Sequence, residues 1–152
     1  MQPKIVKMDK FFIAGLYGHI KKQTELQDKL NEQYAKIPFP KKSKYQTQMY
    51  YWGKREPESQ VFYGFEIDPS EDSGEFALIE LPSCEWAVFE VNTAKWWDTG
   101  DKEVESWIVD NPNYLWRKHE GSIFLLEYWK EKFNGTHPDS MTEVWYPLEK
   151  RK

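Results

Sequence analysis

Glu127 is the residue whose setting most invites chemistry, because it interrupts the apolar run Ser122-Ile123-Phe124-Leu125-Leu126-Glu127-Tyr128-Trp129. Bulky aliphatic and aromatic side chains in near-unbroken succession predict a β-strand. Side chains alternate between the faces of a strand, so Glu127 shares a face with Ile123, Leu125 and Trp129. A carboxylate among such neighbours costs free energy unless a partner compensates it. The residues alone are compatible with two settings. In one, Glu127 lies on an exposed face and pairs with a lysine. In the other it lies in an aromatic cavity and the compensating group is partly a ligand. In a cavity, desolvation favours the neutral acid and raises its pKa. An entering organic cation would meet the carboxylate and several ring faces, each ring contributing roughly 0.5–2 kcal/mol. With buried apolar area the total reaches about −8 kcal/mol, which corresponds to a micromolar ligand. A partly desolvated carboxylate is also suited to general acid or base work.

The composition supplies material for cavity walls. Eight Trp, nine Tyr and nine Phe in 152 residues are many for one small core, and aromatic rings make good walls for flat or cationic ligands. The candidate walls are Tyr50, Trp52, Tyr63, Trp86, Trp129 and Trp145, all on expected inner strands. Trp96 and Trp97 are either a lip of the cavity or packing beneath a helix start, and Trp107 belongs to a helical core stripe. The net charge of −4 argues against a dedicated nucleic-acid binder, and the basic clusters Lys41-Lys42, Lys44 and Lys150-Arg151-Lys152 read as a solvated loop and a tail. One cysteine, Cys84, precludes an intramolecular disulfide and suits a reducing, cytoplasmic setting. No apolar run is long enough to span a bilayer. No metal-ligand spacing, cofactor motif or nucleophile dyad is present, so neither a metal nor a cofactor is expected.

The elements that must position Glu127 read in order. Lys4 to Gly18 carries the first strand signal, with Gly15 and Gly18 marking a bend or close approach. Leu26, Leu30, Tyr34 and Ile37 form one stripe of a helix, opened by a capping box at Thr24 and Gln27 and ended by Pro38 and Pro40. Tyr45–Trp52 and Val61–Ile67 are strands joined by the polar segment 54–59. The acidic, turn-rich stretch Asp68–Gly74 separates two halves, about 1–68 and 75–152. The second half begins with strand material over Phe76–Val91, broken by Pro82. A helix follows from about Asp101, with Val104, Trp107 and Ile108 on one face, and then come the Glu127 strand and a final strand Thr142–Leu148. Each half therefore reads β-α-β-β. Tyr51-Trp52 and Tyr128-Trp129 recur at matching places, which puts Tyr50 opposite Glu127 across the two halves. The fold class is α+β, two pseudo-symmetric β-α-β-β units with two main helices, an antiparallel sheet and a central cleft in a single domain.

The chain resembles the gyrase-inhibitor-like (GyrI-like) domain, the effector-binding domain of bacterial transcription activators. The resemblance rests on Ala14-Gly15-Leu16, Leu81-Pro82-Ser83-Cys84-Glu85-Trp86-Ala87-Val88-Phe89-Glu90-Val91, Leu126-Glu127 and Val144-Trp145-Tyr146-Pro147-Leu148. It implies a central pocket with a strand carboxylate at its base, here Glu127, followed by an aromatic at Trp129. Leu126 stands where an aromatic is common. Strand-like sequence begins at about residue 4, so a stand-alone version is expected. The implied function is binding of lipophilic, cationic or aromatic small molecules as a sensor or sequestering protein. Two alternatives attach to the same resemblance. One is a hydrolase of cyclopropane-bearing electrophilic toxins, with Glu127 as acid or base assisted by Tyr50 or Tyr63. The other is a protein-interaction module such as a topoisomerase inhibitor. A small-molecule ligand is thus the expected partner, with neither nucleic acid nor membrane expected.

Overall fold

The computed structural model describes residues 1–36, 47–52, 60–118 and 123–152, with side chains other than those of Ile20, residues 47–52, Gln60 and Ile123. Its strands are β1 (Lys4–Met8), β2 (Phe11–His19), β3 (Thr47–Trp52), β4 (Gln60–Ile67), β5 (Ala77–Leu81), β6 (Cys84–Asn92), β7 (Tyr114–Trp116), β8 (Ile123–Tyr128) and β9 (Met141–Lys150). Its helices are α1 (Gln23–Tyr34), α2 (Thr93–Thr99) and α3 (Lys102–Asp110), with a short 3-10 turn at Ile20–Lys22 leading into α1.

Among the described residues the nine strands join one antiparallel sheet in the order β1-β6-β9-β8-β3-β4-β2-β5, with β7 beside β9. This order reads the same from either end once β1 is exchanged with β5, β2 with β6, β3 with β8 and β4 with β9. The two β-α-β-β units are thus β2-α1-β3-β4 and β6-α2-α3-β8-β9. They meet where β3 pairs with β8. The leading strand of each unit crosses to the other one: β1 pairs with β6 and β5 with β2. The single strand expected over Lys4–Gly18 is therefore two, because each half needs a strand to hand across.

Alternation sorts the sheet into two faces. One face carries Ile13, Phe62, Leu81, Trp86, Phe124, Leu126 and Trp145, which form an apolar core to which both leading strands contribute. The other face carries the helices. Leu30 of α1 packs on Ala14, Val61, Tyr63 and Phe65, while Val104 and Ile108 of α3 pack on Phe89, Leu125, Val144 and Tyr146. Each fully buried Leu or Phe contributes about 1.5–3 kcal/mol of transfer free energy. Gly15 and Gly64 are in register across β2 and β4. A Cβ on Gly15 would lie 2.0 Å from the Tyr63 carbonyl oxygen, and one on Gly64 would lie 2.4 Å from that of Ala14. Gly15 is at the close approach expected of it, Gly64 is its partner across the strands, and a Cβ on Gly18 would lie 2.4 Å from the Leu26 side chain.

Helix α3 begins one residue after Asp101, whose carboxylate accepts from the Glu103 and Val104 backbone N–H groups at 3.0 and 3.4 Å. Such a cap stabilises a helix by about 1 kcal/mol. Helix α1 departs from expectation. Its N-cap is Lys22 and no side chain caps it. Thr24 and Gln27 lie inside the first turns, so they form no capping box. The stripe residue Ile37 lies outside the described residues. Helix α2 was not anticipated, and among the described residues no helix is long and apolar enough to cross a membrane.

Candidate functional site

The seam between the two units opens on the helical face as a cavity of about 880 Å³. Its floor is the sheet. Leu125 and Glu127 come from β8, Tyr63 from β4, Tyr146 from β9, and Trp129 follows β8 directly. One wall is the first two turns of α1, through Gln23, Thr24 and Gln27. The opposite wall is Trp96 and Trp97 of α2 with Ile108 and Val109 of α3, and Trp116 of β7 closes a third side. The volume lies within the range typical of drug-sized ligands, about 300–1,000 Å³.

Glu127 is 1% exposed. Its Oε1 accepts a hydrogen bond of 3.0 Å from the Trp97 indole N–H. This contact relates the second half's short helix to its central strand. Helix α2 is held for the purpose by buried hydroxyls. Thr93 Oγ1 lies 2.9 Å from Ser140 Oγ and 2.8 Å from Thr142 Oγ1, and Ser140 Oγ accepts from the Asn134 backbone N–H at 2.7 Å. Asn92 caps the helix through a 3.0 Å bond from the Lys95 N–H. The indole of Trp97 nonetheless stays 42% exposed, at the mouth of the cavity.

The rings around Glu127 support one another. Trp129 stacks on Phe133 with centroids 5.0 Å apart and planes at 14°. Trp97 meets both edge-on, at 6.1 and 5.9 Å. Tyr63 approaches Trp129 at 6.0 Å, and its hydroxyl donates to Gln23 Oε1 at 3.1 Å. On the far side Trp116 crosses Tyr146 at 5.0 Å and is fixed by its N–H donating to the Phe124 carbonyl at 2.8 Å. Trp129 is 5% exposed, and its N–H has no hydrogen-bond partner among the described residues. An unsatisfied buried donor costs about 1–3 kcal/mol, at Trp129 as at Trp86.

The electrostatics are one-sided. Glu127 and Glu105 line the cavity, and no Lys, Arg or His is among the described residues that do. Burial pushes the Tyr146 phenol far above its ordinary range, and the negative charges of Glu105, Glu127 and Asp101 push it in the same direction. The phenol therefore stays protonated and can donate or accept. Among the described residues no cluster of three or more His, Cys, Asp or Glu could hold a metal ion.

Of the residues singled out from sequence, the structure brings Glu127, Tyr63 and Trp129 together at the cavity. It also gives Trp96 and Trp97 the position of a wall and lip. Trp86 and Trp145 do not line it. They occupy the opposite face of the sheet, 6.1 Å from each other, because their places in β6 and β9 alternate with those of Ala87 and Tyr146. Tyr50 is not opposite Glu127. The β3–β8 register pairs Tyr50 with Leu125, and Gln48 with Glu127. The side chains of Tyr50 and Trp52 lie outside the described residues. The sequence reading missed Tyr146, Trp116, Glu105 and the α1 wall. Tyr146 was recoverable, since it follows Val144 by two and so shares the apolar face that packs on α3. Glu105 gave no sequence signal, since charge in a first helical turn is common.

No protein-family model matches this sequence, and no curated protein does. Solved structures do match in fold. SAV2435 bound to tetraphenylphosphonium superposes with a TM-score of 0.70 at 15% identity, covering 98% of this chain and 94% of that one. The C-terminal domain of EcmrR gives 0.72 at 14%, covering 99% and 98%. A bacterial transcription regulation protein from Staphylococcus aureus MU50 gives 0.62 at 14%, covering 98% and 99%. The chain has the fold of a GyrI-like effector-binding domain across nearly its whole length.

Proposed function

We propose that this protein binds lipophilic organic cations in the seam cavity, with the Glu127 carboxylate as the anionic floor and the surrounding rings as walls, and that it acts as a cytoplasmic sensor or sequestering protein. The observation that carries the reading is Glu127 itself. It is a carboxylate 1% exposed in an aromatic cavity whose described lining residues include no cation. Burying a carboxylate costs free energy, and a bound ligand cation offsets part of that cost. A delocalised cation gains from the carboxylate and from ring faces while losing little hydration. The fold neighbour bound to tetraphenylphosphonium supports this ligand class. The whole chain, halves 1–68 and 75–152 together, works as one binding unit, since each half supplies part of the wall.

The test is calorimetric titration with tetraphenylphosphonium and with a neutral triphenyl compound of similar size. The cation is expected to bind in the micromolar range and the neutral compound at least about tenfold more weakly. Glu127→Gln removes that preference while circular dichroism stays unchanged. If a panel of lipophilic cations neither binds nor raises the melting temperature, the reading fails.

A hydrolase in the same cavity is a second reading, favoured by one observation. Glu127 and the Tyr146 hydroxyl line one cavity, so a carboxylate that can act as a base and a neutral hydrogen-bond donor face the same substrate space. In this reading Glu127 takes a proton from the water that attacks one ring carbon and returns it to the carbon released as the ring C–C bond breaks, while the Tyr146 hydroxyl donates a hydrogen bond to the substrate. Mass spectrometry of a cyclopropane-bearing electrophile incubated with the protein decides it: a hydrated product lost in Glu127→Gln supports catalysis, and unchanged compound rejects it.

A further inference from the structure

The polar groups on the cavity floor are unequally engaged. The Glu127 carboxylate accepts from Trp97, the Tyr63 hydroxyl donates to Gln23, and the Trp116 N–H is taken by the Phe124 carbonyl. Tyr146 differs. It is 3% exposed and lines the cavity, yet its hydroxyl has no hydrogen-bond partner among the described residues. The indole nitrogens of Trp86 and Trp129 are closed in by packing, whereas the Tyr146 oxygen faces the cavity. Its ring is held edge-on between Trp116 at 5.0 Å and Phe89 at 6.0 Å, so the hydroxyl has a fixed place. A buried hydroxyl without a protein partner is left to water or to a ligand atom. The surroundings decide which kind of atom. Burial and the nearby carboxylates keep the proton on the phenol, so the hydroxyl donates. The same carboxylates disfavour an anion, which leaves a neutral acceptor oxygen. The spacing follows from the sheet. Glu127 is opposite Val144 across β8 and β9, and Tyr146 lies two residues farther along β9 on the same face. At about 3.3 Å per residue and about 4.8 Å between strands, the Glu127 and Tyr146 backbones are about 8 Å apart.

Resting on the reading above, we infer that the preferred ligand is a lipophilic cation that also carries a carbonyl oxygen, and that Tyr146 is the specificity-determining residue that donates to it. The cationic centre sits on Glu127 among Trp97, Trp129 and Tyr63. The carbonyl points along the floor towards Trp116 and Tyr146. A cation with only methylene groups there displaces water from the phenol without replacing its hydrogen bond, and the site discriminates against it for that reason.

The experiment is calorimetric titration of the full chain with two probe series. One is alkyltriphenylphosphonium cations. The other is the same cations with one chain methylene replaced by a ketone at graded distance from phosphorus. In the wild type the ketone-to-alkyl affinity ratio is expected to peak at one ketone position, about fivefold above the others. Tyr146→Phe keeps the ring and is expected to flatten that peak. Glu127→Gln weakens both series and leaves the peak where it is. A second measurement needs no variant: the carbonyl stretch of the isotope-labelled best ketone, bound to the wild type, is expected at the lower wavenumber of a hydrogen-bonded carbonyl. A flat profile in the wild type overturns the inference. So does a peak that persists in Tyr146→Phe, or a bound carbonyl stretch at its value in an apolar solvent. If alkyl cations bind and respond to Glu127→Gln in those cases, the cation-binding reading survives. If neither series binds the wild type, both fall.

Discussion

Replacing Glu127 by Gln separates a functional carboxylate from a structural one. The amide keeps the shape and an oxygen that accepts the Trp97 N–H, so the 3.0 Å contact persists as a neutral hydrogen bond. Two terms change. The charge-assisted bond, about 1.5–3 kcal/mol, becomes a neutral one of about 1 kcal/mol, a loss of roughly 0.5–2. Against this, an ion in a site 1% exposed no longer has to be desolvated, a relief of several kcal/mol. The unliganded variant should therefore be as stable as the wild type or about 1–2 kcal/mol more stable. At 152 residues that is a melting temperature unchanged or raised by about 2–8 °C. Binding moves the other way. With cation at a hundred times the wild-type Kd, ligand stabilises the wild type by about 2.7 kcal/mol. Losing the carboxylate weakens affinity by about 10–100-fold, and the same concentration then contributes only about 0.4–1.4 kcal/mol. Differential scanning fluorimetry with and without tetraphenylphosphonium, backed by urea unfolding, reads both terms. A variant destabilised by more than about 2 kcal/mol whose cation affinity is unchanged would refute the argument, since Glu127 would then be a structural residue.

Trp97→Phe keeps the edge contacts with Trp129 and Phe133 but deletes the donor to Glu127. It should cost about 1–2 kcal/mol in urea unfolding, and the cost should shrink in a Glu127→Gln background. Thr93→Val leaves the fully buried Ser140 and Thr142 hydroxyls short of a partner. A loss of about 1–3 kcal/mol is expected, with weaker cation binding because α2 carries Trp96 and Trp97 into the wall. Tyr146 has a folded-state pKa raised above its unfolded value of about 10, so its contribution to stability is complete below that pH and is lost as pH rises beyond it. The urea midpoint of the wild type should fall above about pH 10, and Tyr146→Phe should remove part of that fall.

How far the chain explains itself differs by level. Strand content and the β-α-β-β order were legible because apolar runs, Pro82 and the Asp68–Gly74 turn segment are local signals. The crossing of β1 and β5 was not legible. Nothing in Lys4–Met8 states that its partner is β6, and pairing over that distance is decided by the whole sheet. The same limit applies to the site. Alternation along one strand is a local rule, and it assigned Leu125, Glu127 and Trp129 to one face correctly. Which faces of different strands agree depends on register, and register placed Trp86 and Trp145 behind the sheet and Tyr146 in front. Helix α2 escaped notice because seven residues give too few turns for a stripe, yet it delivers the indole that holds Glu127. An anomaly in one strand, a charge where the pattern demands apolar side chains, located the site. Assembling its walls required contacts between β4, β8, β9 and all three helices, which lie too far apart in the chain for composition or periodicity to connect.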